Sequence, residues 1–179
     1  MNLKRIKYIY VVAGESNSGK TTILHLLCEY LRTIAIEFDD YLLNASDRCC
    51  KAKLIDGRVV GVGTAGDTAE FVIENFLYFS EGDGSLIQES GCDIVFVALT
   101  KNNGRHGRRY KPNSSSAEIA LYDVISPTFM PTVAVPTDLV ATKRYSRHYY
   151  NYQQCRDNDN KLVLQRLKDL LEIKEATNV

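Results

Sequence analysis

The stretch Lys7-Tyr8-Ile9-Tyr10-Val11-Val12-Ala13-Gly14-Glu15-Ser16-Asn17-Ser18-Gly19-Lys20-Thr21-Thr22 decides how the chain is read. Ile9, Tyr10, Val11 and Val12 are apolar and β-favouring, so they predict a strand. The run leads directly into Gly14-Glu15-Ser16-Asn17-Ser18-Gly19-Lys20-Thr21, which has the spacing G-x-x-x-x-G-K-[ST]. Downstream, Ile23, Leu24, Leu26, Leu27 and Leu31 recur at helical spacing and predict a helix over 20–32.

A strand, a glycine-bounded loop and a helix in this order make a cradle for polyphosphate. Glycine lets the backbone approach an anion closely. The candidate binding residues are Gly14, Glu15, Ser16, Asn17, Ser18, Gly19, Lys20, Thr21 and Thr22. The helix adds the positive end of its dipole. Lys20 is expected to reach the terminal phosphates, and Thr21 to offer its hydroxyl to Mg2+, a hard cation that prefers oxygen ligands. On these residues the chain resembles the P-loop NTPase superfamily. The resemblance implies ATP or GTP as ligand, together with Mg2+.

Outward from the loop, residues 33–38 suit a short strand ending in Asp39-Asp40-Tyr41. Residues 42–47 read as loop. Residues 49–63 read as a hairpin turning on Asp56-Gly57, a strong turn dipeptide. Phe71, Val72, Asn75, Phe76 and Phe79 predict a helix over 68–79. A turn and a short helical piece follow over 81–91. The run Asp93-Ile94-Val95-Phe96-Val97-Ala98-Leu99 is apolar throughout, as in a central parallel strand. Residues 101–116 read as a polar, basic loop, 117–124 as a short helix and 132–135 as another strand. Residues 138–152 read as helical or irregular. After the polar break Asp157-Asn158-Asp159-Asn160, the residues Leu162, Leu164, Leu167, Leu170 and Leu171 predict an amphipathic helix. Strands alternating with helices imply one domain over 1–179, an α/β three-layer sandwich with a mostly parallel sheet and one hairpin. Ligands of such sheets bind at the carboxyl ends of the strands. The phosphate loop, Asp39-Asp40, Asp67 and the loop after Thr100 all follow such ends.

A nucleotide–Mg2+ site needs an acid on a neighbouring strand end. Residues 93–99 end in Thr100-Lys101 and offer none, whereas 59–63 lead to Asp67. Asp67 therefore suits the cation, and either Asp67 or Thr68 suits the cap of the following helix. Phe38-Asp39-Asp40-Tyr41, with Asn17-Ser18-Gly19-Lys20-Thr21-Thr22, is similar to nucleoside kinases of the uridine and nicotinamide riboside type. That resemblance implies that Asp39 or Asp40 acts as general base toward a small-molecule or nucleotide acceptor. Leu54-Ile55-Asp56-Gly57-Arg58-Val59-Val60, continuing to Thr64-Ala65-Gly66, resembles the hairpin and switch region of Ras-like GTPases, and Met130-Pro131-Thr132-Val133-Ala134-Val135 resembles their later core strand. The chain departs from that family at Gly63, where its acid belongs, and in lacking Asn-Lys-x-Asp: Pro136-Thr137-Asp138 and Thr100-Lys101-Asn102-Asn103 stand in the candidate places. ATP is accordingly expected over GTP.

Lys101, Arg105, His106, Arg108, Arg109 and Lys111 lie close together with no intervening acid. Arg105, Arg108 and Arg109 suit the neutralisation of a transferred phosphate. A solvated loop and a site for an anionic partner are the other roles open to them. Lys143-Arg144-Tyr145-Ser146-Arg147-His148-Tyr149-Tyr150-Asn151-Tyr152 interleaves basic residues and tyrosines, which suits base stacking in a nucleic acid or packing on the sheet.

The formal net charge is zero, so no global field favours nucleic acid or an anionic membrane. The hydrophobic share of 45% and charged share of 25% are those of a globular chain. The five cysteines, Cys28, Cys49, Cys50, Cys92 and Cys155, lack C-x-x-C spacing and are expected to be free thiols in a reducing cytoplasm. Lys4, Arg5 and Lys7 precede an apolar run too short for a targeting segment or a membrane span. Three activities fit these observations: phosphoryl transfer to a small acceptor, a regulatory NTPase switch, and an ATPase working on nucleic acid.

Overall fold

A computed structural model describes residues 1–14, 19–82, 86–100, 140–141, 147–151 and 157–172, with positions 117, 120, 121 and 124. The chain forms β1 (Tyr8–Gly14), α1 (Lys20–Ile34), β2 (Glu37–Leu42), β3 (Arg48–Lys53), β4 (Val59–Gly63) and α2 (Ala69–Phe79). A 3-10 turn at Ile87–Glu89 leads to β5 (Ile94–Thr100), then β6 (Val140–Ala141), β7 (Arg147–Asn151) and α3 (Asp157–Leu171). Positions 117, 120, 121 and 124 are helical. Among the described residues, no helix is long and apolar enough to cross a membrane.

The seven strands lie in the order β2-β3-β4-β5-β1-β7-β6. Pairings are parallel only in the middle, where β5 lies against both β4 and β1, and β1 against β7. β2 with β3, β3 with β4, and β6 with β7 are antiparallel. This corrects the expected three-layer sandwich with a mostly parallel sheet and one hairpin: the fold is mixed α/β with a partly antiparallel sheet. The reason is connection length. Parallel neighbours need crossovers of about a dozen residues or more, whereas β2, β3 and β4 are joined by short turns and can only form a meander. The turn between β3 and β4 closes through Leu54 N to Arg58 O at 2.8 Å and Gly57 N to Leu54 O at 2.9 Å. Gly57 has φ of 87°, as a hairpin with a left-handed residue requires.

Two further expectations are corrected. α1 runs on to Ile34, closing with Ala35 N on Leu31 O, so β2 starts only at Glu37 and carries Asp39 and Asp40 inside the strand. Residues 140–141 and 147–151, expected to be helical or irregular, are strands. The backbone of β7 gains a full parallel register with β1. The strand expected at 132–135 lies outside the described residues.

Both faces of the sheet are covered. Tyr8, Tyr10, Val12, Val60, Val62 and Phe96 on one face pack against Ile23, Leu24, Leu27 and Leu31 of α1 and Val163, Leu167 and Leu170 of α3. Ile9, Val11, Val95, Val97 and Leu99 on the other pack against Val72, Phe76 and Phe79 of α2 and against Ala117 and Leu121. Cys49 and Cys50 fall on opposite faces, as strand alternation requires. Cys50 lies 3.1 Å from Cys28 of α1, sulfur to sulfur, while Cys49 and Cys92 belong to the α2 side. All four thiols are buried and free. Burial is the main cause that pushes up the thiol pKa of Cys49, Cys50 and Cys92, the last to about 12.

Asp93 ties the starts of three strands together. Its main-chain carbonyl accepts from Lys7 N and Tyr8 N, and its amide donates to Val59 O at 2.7 Å. Its carboxylate accepts from Val59 N at 2.8 Å and from the Arg5 guanidinium at 3.2 and 3.0 Å. Asp93→Ala orphans the Val59 amide and the guanidinium together, so an expected loss of about 2–3 kcal/mol in urea unfolding follows. Asp93→Asn, which keeps an acceptor, should lose less. A loss below about 0.5 kcal/mol for the alanine variant would show that Asp93 is not a tie.

Candidate functional site

The parallel strands end side by side. Gly14 of β1 is level with Thr100 of β5. Thr100 N donates to Gly66 O at 2.9 Å, which carries the line of β4 past Gly63 to the same level. The next residue, Asp67, is exposed and accepts a hydrogen bond from the Thr100 hydroxyl. Gly19 adopts φ 93°, a left-handed conformation that a side chain would strain, and its carbonyl accepts the first helical bond from Ile23 N. The helix therefore starts at Lys20, as expected. Lys20 is 5% exposed. Burial lowers its pKa, and the charge of Asp67 opposes that shift. Lys20, largely buried, thus lies within the field of Asp67 near the end of three strands.

Thr68, not Asp67, caps α2: Phe71 N donates to its hydroxyl at 3.3 Å. The cap is thus Thr68, and the Asp67 carboxylate accepts from the Thr100 hydroxyl. The missing acid at position 63 also has a steric reason. A Cβ there would stand 2.6 Å from Asn75 Cγ. Asn75 is completely buried, donates to Ala65 O at 2.7 Å and accepts from the Cys49 thiol at 2.8 Å. Its amide fills the space and braces the segment that delivers Asp67.

The structure does not bring Asp39 and Asp40 to this end. Through the pairings across the sheet, Asp39 is level with Ile9 and Asp40 with Tyr10, well before Gly14. β2 also lies four positions from β1 in the sheet, about 19 Å at ordinary strand spacing. Both carboxylates are engaged locally. Asp40 pairs with Arg32 at 2.8 Å and Arg48 at 3.2 Å. Asp39 accepts from Gln88 Nε2 at 2.8 Å and from the Tyr78 hydroxyl. Burial, then the Asp39 carboxylate, pushes the Tyr78 pKa up. Beside them, Lys51 is fully buried, donates to Gln88 O and Ser90 O at 2.7 Å each, and lies 5.0 Å from the Tyr78 ring. This cluster fastens β2 and β3 to the 3-10 turn through Asp39 and Lys51.

Of the loop residues, Glu15, Ser16, Asn17 and Ser18 lie outside the described residues, as do Arg105, Arg108 and Arg109. Thr22 is exposed. Thr21 donates its hydroxyl to Thr64 O at 3.4 Å. Among the described residues, no group of three or more His, Cys, Asp or Glu could hold a metal ion. An all-protein cage for calcium or zinc is therefore not built from them. Thr21 and Asp67 each carry an oxygen of the kind Mg2+ takes, and one or two such oxygens are enough where the ion keeps waters and substrate phosphates. The sequence reading passes over Thr100, which is not an acid, and Asp47, and it meets Thr64 only within the switch-like Thr64-Ala65-Gly66, because the link between Asp47 and Thr64 joins two separate turns.

Compared with known protein families, curated proteins and solved structures, the chain matches none.

Proposed function

We propose that this chain binds a nucleoside triphosphate with Mg2+, ATP in preference to GTP, and cleaves or transfers its terminal phosphate. The observation that carries the reading is Lys20, largely buried at the first turn of α1, directly after the left-handed Gly19 and within the field of Asp67. Lys20 and the loop amides hold the phosphates. Thr21 and Asp67 hold Mg2+, which supplies charge neutralisation at the phosphate oxygens. Thr100 fixes the carboxylate of Asp67. Arg105, Arg108 and Arg109 remain the proposed neutralising arginines. The placement of Asp39 and Asp40 favours water, or an acceptor activated elsewhere, over a nucleoside activated by these two acids. Residence in the cytoplasm belongs to the same reading, supported by the four free buried thiols.

The test is calorimetric titration of the purified chain with ATP, GTP and non-hydrolysable analogues, with and without Mg2+, followed by phosphate release in the presence of nucleosides, nucleotides, RNA and DNA. Micromolar or tighter affinity for ATP is expected, weaker for GTP, together with Mg2+-dependent release. Absence of binding to every triphosphate defeats the proposal. Release that rises with RNA or DNA and falls steeply with salt would make nucleic acid the partner.

A further inference from the structure

Thr64 is 1% exposed and lies between two turns. Its amide donates to Arg48 O at 3.0 Å, and its hydroxyl accepts from Arg48 N at 2.9 Å. That hydroxyl donates in turn to Asp47 Oδ1 at 3.3 Å. The turn carrying Asp47 is itself fixed: Asn44 Oδ1 accepts from the amides of Ser46 and Asp47 at 2.8 and 2.9 Å, and Asn44 Nδ2 donates to Asp47 Oδ2 at 3.0 Å. It is also fastened to α1, because His25 Nε2 lies 2.8 Å from Ser46 O, one helical turn beyond Thr21. The peptide carbonyl of Thr64 can therefore move little, and it is this carbonyl that accepts the Thr21 hydroxyl proton.

We infer that Thr64 and Asp47 are positioning residues for a divalent cation at Thr21. A hydroxyl has one proton and two lone pairs. When the proton is committed to a fixed carbonyl, the lone pairs have a fixed direction and are available to a hard cation. Free rotation of the Thr21 hydroxyl would spread those lone pairs over three orientations. Asp47 holds the side chain of Thr64, the Thr64 peptide holds the proton of Thr21, and Thr21 presents oxygen to Mg2+. The inference rests on the nucleotide reading above, and it gives the β2–β3 turn a part in cation binding that no catalytic motif marks.

The experiment measures affinity for a non-hydrolysable ATP analogue with Mg2+ and in EDTA, in the native chain and in Thr64→Val, Thr64→Ser and Asp47→Ala, each checked for folding by circular dichroism. Thr64→Val should reduce the Mg2+-dependent gain in affinity about tenfold while affinity in EDTA stays native. Thr64→Ser should restore the gain. Asp47→Ala, which leaves the strands untouched, should lower it about threefold and serves where the valine variant does not fold. Mn2+ bound with the analogue, followed by its electron paramagnetic spectrum, should show the same order. An equal loss with and without metal, or an unchanged gain in folded variants, overturns the inference while leaving nucleotide binding intact. A native chain that binds no nucleotide in either condition removes both readings, and that outcome is distinct from the other two.

Discussion

Lys20→Met is expected to bind Mg·ATP about a hundredfold more weakly than the native chain, because a charge-assisted contact to phosphate contributes about 1.5–3 kcal/mol and each 1.4 kcal/mol is tenfold. The fold should survive. Methionine keeps the aliphatic packing of a residue that is 5% exposed. The pH dependence gives a second check. The folded chain releases the Lys20 proton more readily than the unfolded chain, whose lysine pKa is near 10.5. Between the lowered folded value and 10.5 the unfolded state binds more protons, so the Lys20 contribution to stability rises with pH there, and Lys20→Met removes it. Equal ATP affinity in the two proteins would mean that Lys20 does not touch the phosphates.

Gly63→Asp tests the opposite kind of statement, that an acid cannot stand where the Ras-like pattern has one. The new Cβ would meet the Asn75 amide at 2.6 Å, and the carboxylate behind it would be pressed against that buried side chain and the sheet. Overpacking and the burial of a charge together are expected to lower stability by more than about 4 kcal/mol. Gly63→Ala carries only the steric part and should lose about 1–3 kcal/mol. Chemical denaturation of the two variants separates the contributions. A native-like midpoint for the aspartate variant would show that Asn75 moves freely and that the site tolerates an acid on β4.

Much of the site was legible in the sequence because its central part is local. β1, Gly19, Lys20 and Thr21 follow one another, and strand, turn and helix chemistry are all encoded within a few residues. β5 was legible for another reason: only a strand covered on both faces has Ile94 to Leu99 without a polar residue. Asp39 and Asp40 misled because acids at a strand end and acids inside an edge strand look alike in one dimension. Only the non-local pairing with Lys51 and Cys50 tells them apart. The place of β7 was hidden similarly: it lies parallel to β1, from which more than half the chain separates it. Thr64 and Asp47 are bland letters whose contact exists only after the two turns have met.

The four thiols among the described residues give the molecule an internal pair of clocks. Cys28 and Cys50 are sealed beneath α1, and Cys49 and Cys92 on the α2 side, so an alkylating reagent reaches either couple only when that half of the interior breathes. Each side of one sheet thereby reports its own opening rate through native atoms, without a probe being added.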